Sequence, residues 1–169
     1  MFKKIITLTL LSSAYIAASV NCQQEYCAVS KNMTFWGFNL YHFDYKKEQN
    51  GNEKICLTYK REIEKQKNID KTIEKFEQNN LNAKDYMELL SIWNSHLIDV
   101  KEGTVYEVHV NDKGTTMIID DNILFNTPSI EFGQMYLKIW AGENSVDEEL
   151  QKEILLAREK INSRTCTKK

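Results

Sequence analysis

The chain has 169 residues, 27% of them charged and 42% hydrophobic, with a formal charge of −2. That length fits one domain with a sizeable core, and the slightly acidic balance, with no basic patch, argues against a nucleic-acid partner. Six glycines and a single proline exclude a linker-rich or low-complexity chain.

Lys3 and Lys4 open the sequence, and Ile5 to Ala18 is apolar, diluted by Thr and Ser and short for a membrane span. Small residues at Ala17 and Ser19 complete a signal peptide over residues 1–19, with cleavage after Ser19. A retained membrane anchor and a lipid anchor at Cys22 are the alternatives; Ser19-Val20-Asn21 is a poor lead-in to a lipidated cysteine. Cleavage removes two lysines and no acid, so 20 basic face 24 acidic residues, a formal charge of −4. The expected product is exported, to the periplasm or beyond, with no stable membrane span.

Cys22, Cys27, Cys56 and Cys166 all survive that cleavage. An even count in an exported chain points to disulfides, and sequence alone does not choose among the pairings. If there is one bridge, Cys166 with Cys22 or Cys27 is favoured. In the chain-entropy model, joining the two terminal segments over a long loop gains roughly 4–5 kcal/mol. Cys22 and Cys27 have no second metal-like pair beside them, so neither a zinc site nor any cofactor is expected.

Residues 20–33 read as an N-terminal segment ahead of a domain over 34–163. Residues 34–45, TFWGFNLYHFDY, alternate loosely and predict a half-buried strand. Asn50-Gly51-Asn52 marks a hairpin turn within 48–53. Residues 54–63 predict a second strand, with Ile55, Leu57, Tyr59 and Arg61 on one face and Cys56, Thr58, Lys60 and Glu62 on the other. From Asn68, a plausible N-cap, Ile69, Ile73 and Phe76 recur at helical spacing. Asn82 caps a further helix with Tyr86, Leu89, Leu90, Trp93 and Leu97 along one stripe. Strands follow at 105–110 and 115–119, joined by Asn111-Asp112-Lys113-Gly114, with a short return strand at 123–125. Thr127 as N-cap and Pro128 at the first helical position open a helix carrying Ile130, Phe132, Met135, Tyr136, Leu137, Ile139 and Trp140. It is apolar nearly all round and should be buried. Ala141-Gly142 stops it through a left-handed glycine, and Ser145-Val146-Asp147-Glu148 forms a capping box that starts the last helix. Tight turns between consecutive strands and grouped helices predict an α+β fold with an antiparallel sheet.

No HExxH, G-x-S-x-G or glycine-rich phosphate loop occurs. His42, His96 and His109 are scattered, and each reads as strand-face or helix-end chemistry rather than a site. Tyr59 and Arg61 are the candidate ligand-binding pair. An arginine facing an apolar interior needs a carboxylate partner or a ligand anion. One reading places Arg61 against a helix carboxylate as scaffold. The other places it in a cleft, where it meets an acidic or phenolic group while Tyr59 donates a hydrogen bond.

Tyr136-Leu137-Lys138-Ile139-Trp140-Ala141-Gly142, followed by Leu150 and Leu155-Leu156, resembles the C-terminal "IWLG … L … LL" signature of bacterial chalcone isomerase-like proteins. Leu57-Thr58-Tyr59-Lys60-Arg61-Glu62-Ile63 resembles the family's "LxYxRDI" strand, and Asp99-Val100-Lys101-Glu102-Gly103 its "DVKxGD" turn. The match runs over roughly residues 35–158. It implies an open-faced β-sandwich, an antiparallel sheet with helices packed mainly on one face. Cyclising members of the superfamily need an arginine on an early strand, a tyrosine near a helix start and an asparagine two turns on. Here no arginine precedes Arg61, the helix start reads Lys67-Asn68-Ile69-Asp70, and two turns later stands Lys75-Phe76. Chalcone cyclisation is therefore not expected. The family's fatty-acid-binding branch implies a non-catalytic domain for a small hydrophobic carboxylate. An intramolecular lyase or isomerase and a protein-interaction module of the cell envelope are the alternatives. A cavity with a converging Arg–Tyr pair would favour a ligand or substrate; a filled core would favour the interaction module.

Overall fold

A computed structural model of the chain describes residues 19–35 and 37–166; of the expected signal peptide, all but Ser19 lies outside them. Seven strands form one sheet in the order of the sequence. They are β1 (Ser19–Cys22), β2 (Tyr26–Phe35), β3 (Phe38–Glu48), β4 (Glu53–Tyr59), β5 (Val105–Asn111), β6 (Gly114–Ile119) and β7 (Asn122–Thr127). Every neighbouring pair is antiparallel. Helices α1 (Lys65–Gln78) and α2 (Ala83–His96) join β4 to β5, and α3 (Ile130–Ala141) and α4 (Glu148–Cys166) close the chain. The period-two alternation of β4 and β5 is realised residue by residue. Glu53, Ile55, Leu57 and Tyr59 point inward on β4, as do Tyr106, Val108 and Val110 on β5. Helix α3 packs on β5 and β6, and α4 on β1 to β3, so among the described residues the helices pack on one face of the sheet. The α+β, open-faced expectation is the observed architecture.

The N-terminal segment 20–33 proves to be β1 and most of β2, which add two strands to the sheet. Their alternation is hard to read because Lys31, an inward position on β2, is a charged residue that reaches Asp147 and Glu149 beside α4. The β1–β2 hairpin also settles the disulfide. It places Cys22 opposite Cys27, with a Cα–Cα distance of 4.1 Å, and the two are bonded to each other. This corrects the favoured bridge to Cys166. Local pairing brings two thiols together before any long loop must close. Cys56 is a free thiol on the other face of the sheet, while the Cys166 side chain lies outside the described residues.

Four helix-end expectations change. Ser129, not Thr127-Pro128, caps α3, its hydroxyl accepting the Phe132 N–H at 3.1 Å. Asp147, not Ser145, caps α4 by accepting the Leu150 N–H at 2.8 Å. Helix α1 begins before Asn68, and its first N–H, of Lys65, is taken by the distant Asp99 carboxylate at 2.8 Å. Gly142 has φ −79°, so left-handed geometry is not why glycine stands there. Space is the reason. A Cβ at Gly142 would lie 2.3 Å from Asn79 Oδ1, and that same oxygen accepts the Asn144 N–H at 3.0 Å.

Candidate functional site

The predicted pair separates. Tyr59, the last residue of β4, is buried. Arg61 lies two residues beyond the strand end, where alternation no longer governs it. It is exposed, with its guanidinium 5.1 Å from the centroid of the Phe38 ring. The shared inward face expected for the two is therefore corrected: among the described residues no carboxylate is paired with Arg61, and its side chain does not lie in the interior.

Tyr59 instead joins other rings between sheet and helices. Register places Tyr41 of β3 directly opposite Tyr59, with ring centroids 5.8 Å apart. Tyr106 enters from β5. Tyr136 and Trp140, one turn apart on α3, meet each other at 5.4 Å and reach Tyr106 and Phe43 at 6.3 and 5.5 Å. The hydroxyls are engaged. The Trp140 indole N–H donates to Tyr41 at 3.3 Å, the Tyr106 hydroxyl donates to Met117 Sδ at 3.1 Å, and Asn68 in the first turn of α1 bonds Tyr59. Burial pushes the Tyr41 phenol up to about 12 and raises those of Tyr59 and Tyr136 as well. All three stay protonated at neutral pH, so each keeps an O–H to donate and none serves as a base.

At the other end of the same layer stands a polar cluster that the sequence reading missed. Glu53, 5% exposed, accepts from the Tyr45 hydroxyl at 2.7 Å, the Lys47 ammonium at 3.0 Å and the Gln134 amide at 3.3 Å. Arg158 of α4 donates to it through Nε at 3.0 Å and Nη2 at 2.7 Å, and also to Tyr45 at 3.1 Å. Two signals were available. Glu53 continues the inward face of Ile55 and Leu57, and Arg158 stands four residues after the buried Ile154. The cluster's charges answer one another, so it reads as a fastening between β3, β4 and α4. Among the described residues, no group of three His, Cys, Asp or Glu side chains is placed to hold a metal ion, and no helix is long and apolar enough to cross a membrane.

Comparison with known proteins agrees with this architecture. Residues 44–156 match the family model described as chalcone isomerase-like. No curated protein matches in sequence. Among solved structures, a fatty-acid binding protein of Arabidopsis thaliana aligns with a TM-score of 0.60 at 10% identity, covering 82% of this chain and 87% of its own. Identity that low speaks for the fold alone. The family match spans well over half of the sequence, and the chain belongs to the chalcone isomerase-like family.

Proposed function

We propose that this protein is an exported, non-catalytic binding domain that holds a small hydrophobic carboxylic acid between its sheet and helices. The observation that carries the reading is the gathering of Tyr41, Tyr59, Tyr106 and Tyr136 in one apolar layer. Protonated phenols are donors that suit a carboxyl group, and the surrounding rings suit an aliphatic or aromatic tail. The solved fatty-acid binding protein shares this fold, which supports the choice of ligand class. Export is supported by the basic and apolar start of the sequence and by a disulfide, which persists in oxidising compartments. Catalysis finds no support. The anion-holding arginine of the cyclising enzymes has no counterpart beside the phenols, and the raised phenols offer no base.

The test is displacement of a fluorescent fatty-acid probe from delipidated protein. Wild type should bind saturably, and Tyr59→Phe should weaken binding tenfold or more, since a charge-assisted hydrogen bond is worth about 1.5–3 kcal/mol. Chalcone should cyclise only at its spontaneous rate. Absence of saturable binding by the wild type sinks the ligand reading. The second reading, a protein-interaction module, then stands on two observations: aromatic rings fill the layer, and Arg61 lies outside it.

A further inference from the structure

The β2–β3 hairpin reaches beyond its neighbours. The last β3–β4 pair is Tyr41 with Tyr59, and the last β1–β2 pair is Ser19 with Ser30. Thr34 with Asn39 and Phe35 with Phe38 continue the β2–β3 ladder alone, past a register shift at Met33/Thr34. At the tip Phe35 and Phe38 are cross-strand partners, yet they are 62% and 61% exposed. Both rings thus expose most of their apolar surface at the end of a projecting ribbon, which favours burial against an apolar phase. No Asp or Glu stands anywhere between Glu25 and Asp44, in a chain with 24 acids. Exposed Lys60 and Arg61 adjoin the arm, Lys60 through its N–H to the Leu40 carbonyl and Arg61 through the Phe38 ring; Glu62 is the nearest acid in sequence. At the β6–β7 turn, whose exposed Asp120 and Asp121 are acidic, Ile123, 69% exposed, lies at the same end of the sheet. So do Tyr41 and Tyr59, where the phenol cluster begins.

We propose that this arm docks the protein on an anionic lipid surface, with Phe35 and Phe38 inserted at headgroup level and Lys60 and Arg61 against lipid phosphates. Aromatic rings favour that boundary, and basic side chains beside it are drawn by anionic headgroups. The inference deepens the proposed binding function, since it puts the source of a hydrophobic acid at the end where Tyr41 and Tyr59 stand.

The experiment is vesicle flotation of protein exported and purified by one route for all variants. Wild type should float with phosphatidylcholine vesicles containing phosphatidylglycerol, and less with phosphatidylcholine alone. The double substitution Phe35→Ser and Phe38→Ser should weaken partitioning at least about tenfold, and Arg61→Ala about fivefold at low salt. Leu155→Ser, on an exposed apolar residue of α4, should change nothing. Melting curves for each variant separate lost docking from lost fold. Wild type that stays with the soluble fraction, or partitioning that is insensitive to the Phe35 and Phe38 changes, overturns the proposal. So does a dimer in vesicle-free solution that the Phe38 change dissolves, because the tip's occupant would then be a second copy. Soluble-probe displacement keeps the two ideas apart. Loss of flotation with intact probe binding rejects the docking arm alone, and flotation without probe binding rejects the ligand reading alone.

Discussion

Trp140 is 3% exposed, packed on Phe43 and Tyr136 and bonded to the Tyr41 hydroxyl. Trp140→Ala should cost about 3–5 kcal/mol in chemical denaturation, as core aromatic truncations do, and a loss under about 1 kcal/mol would show that the site collapses freely. Glu53 combines burial with charge. Burial pushes its carboxyl up, but the Arg158 guanidinium, the Tyr45 hydroxyl and the Lys47 ammonium outweigh that and hold it below the usual carboxylate range. A depressed carboxyl contributes stability that is fully present above its unfolded value, about 4.3, and is lost as pH falls through the lower folded value. Glu53→Gln should therefore lose about 3 kcal/mol at neutral pH and show a shallower decline below about pH 4.5. Melting temperatures across that range check both, and an unchanged acid limb would mean that Glu53 titrates alike folded and unfolded. Arg61, exposed against Phe38, should alter stability by no more than about 0.5 kcal/mol when changed to alanine. Probe binding by Arg61→Ala should also match wild type. Tyr59 was legible as an inward strand residue, whereas Arg61 was misplaced because β4 ends at Tyr59, a boundary that periodicity does not mark.

Helix α3 lies on β5 and β6 through Gly133. A Cβ there would fall 2.4 Å from both Thr115 Oγ1 and Val110 Cγ2. Two effects oppose each other in Gly133→Ala. Helix propensity favours alanine by about 1 kcal/mol, while overpacking a tight contact costs about 1–3 kcal/mol. Both obstructing atoms belong to short side chains on rigid strands, so the clash should win and leave the variant less stable by about 1–2 kcal/mol in urea denaturation. A stabilised variant would show that α3 can lift off the sheet cheaply. The helix itself was plain from its apolar composition, and its seven buried residues from Phe132 to Trp140 agree. Its cap was not. Thr127, Ser129 and Pro128 are all acceptable at a helix start, and the choice falls to Ser129 because β7 holds Thr127 in the sheet.

Across the whole molecule, Cys22 is bonded to Cys27, while Cys56 faces away from the helices and Cys166 ends α4 on the opposite side of the sheet. Titration of the oxidised, unfolded protein should find two thiols per chain. None would reveal a Cys56–Cys166 bridge and therefore a different sheet–helix arrangement. What the sequence determined by itself was a set of features with a short period or a short turn. The alternation of β4 and β5, the hairpin turns at Gly51 and Gly114, the buried stripe of α3 and the α+β class all follow from the spacing of apolar side chains along a few residues. Tertiary structure decided what depends on partners far along the chain: that residues 20–33 join the sheet, that Asp99 caps α1, that Glu53 meets Arg158, and that four tyrosines converge while Arg61 does not. Periodicity reports which way a side chain leaves its own backbone. It carries no information about which distant group waits on the other side.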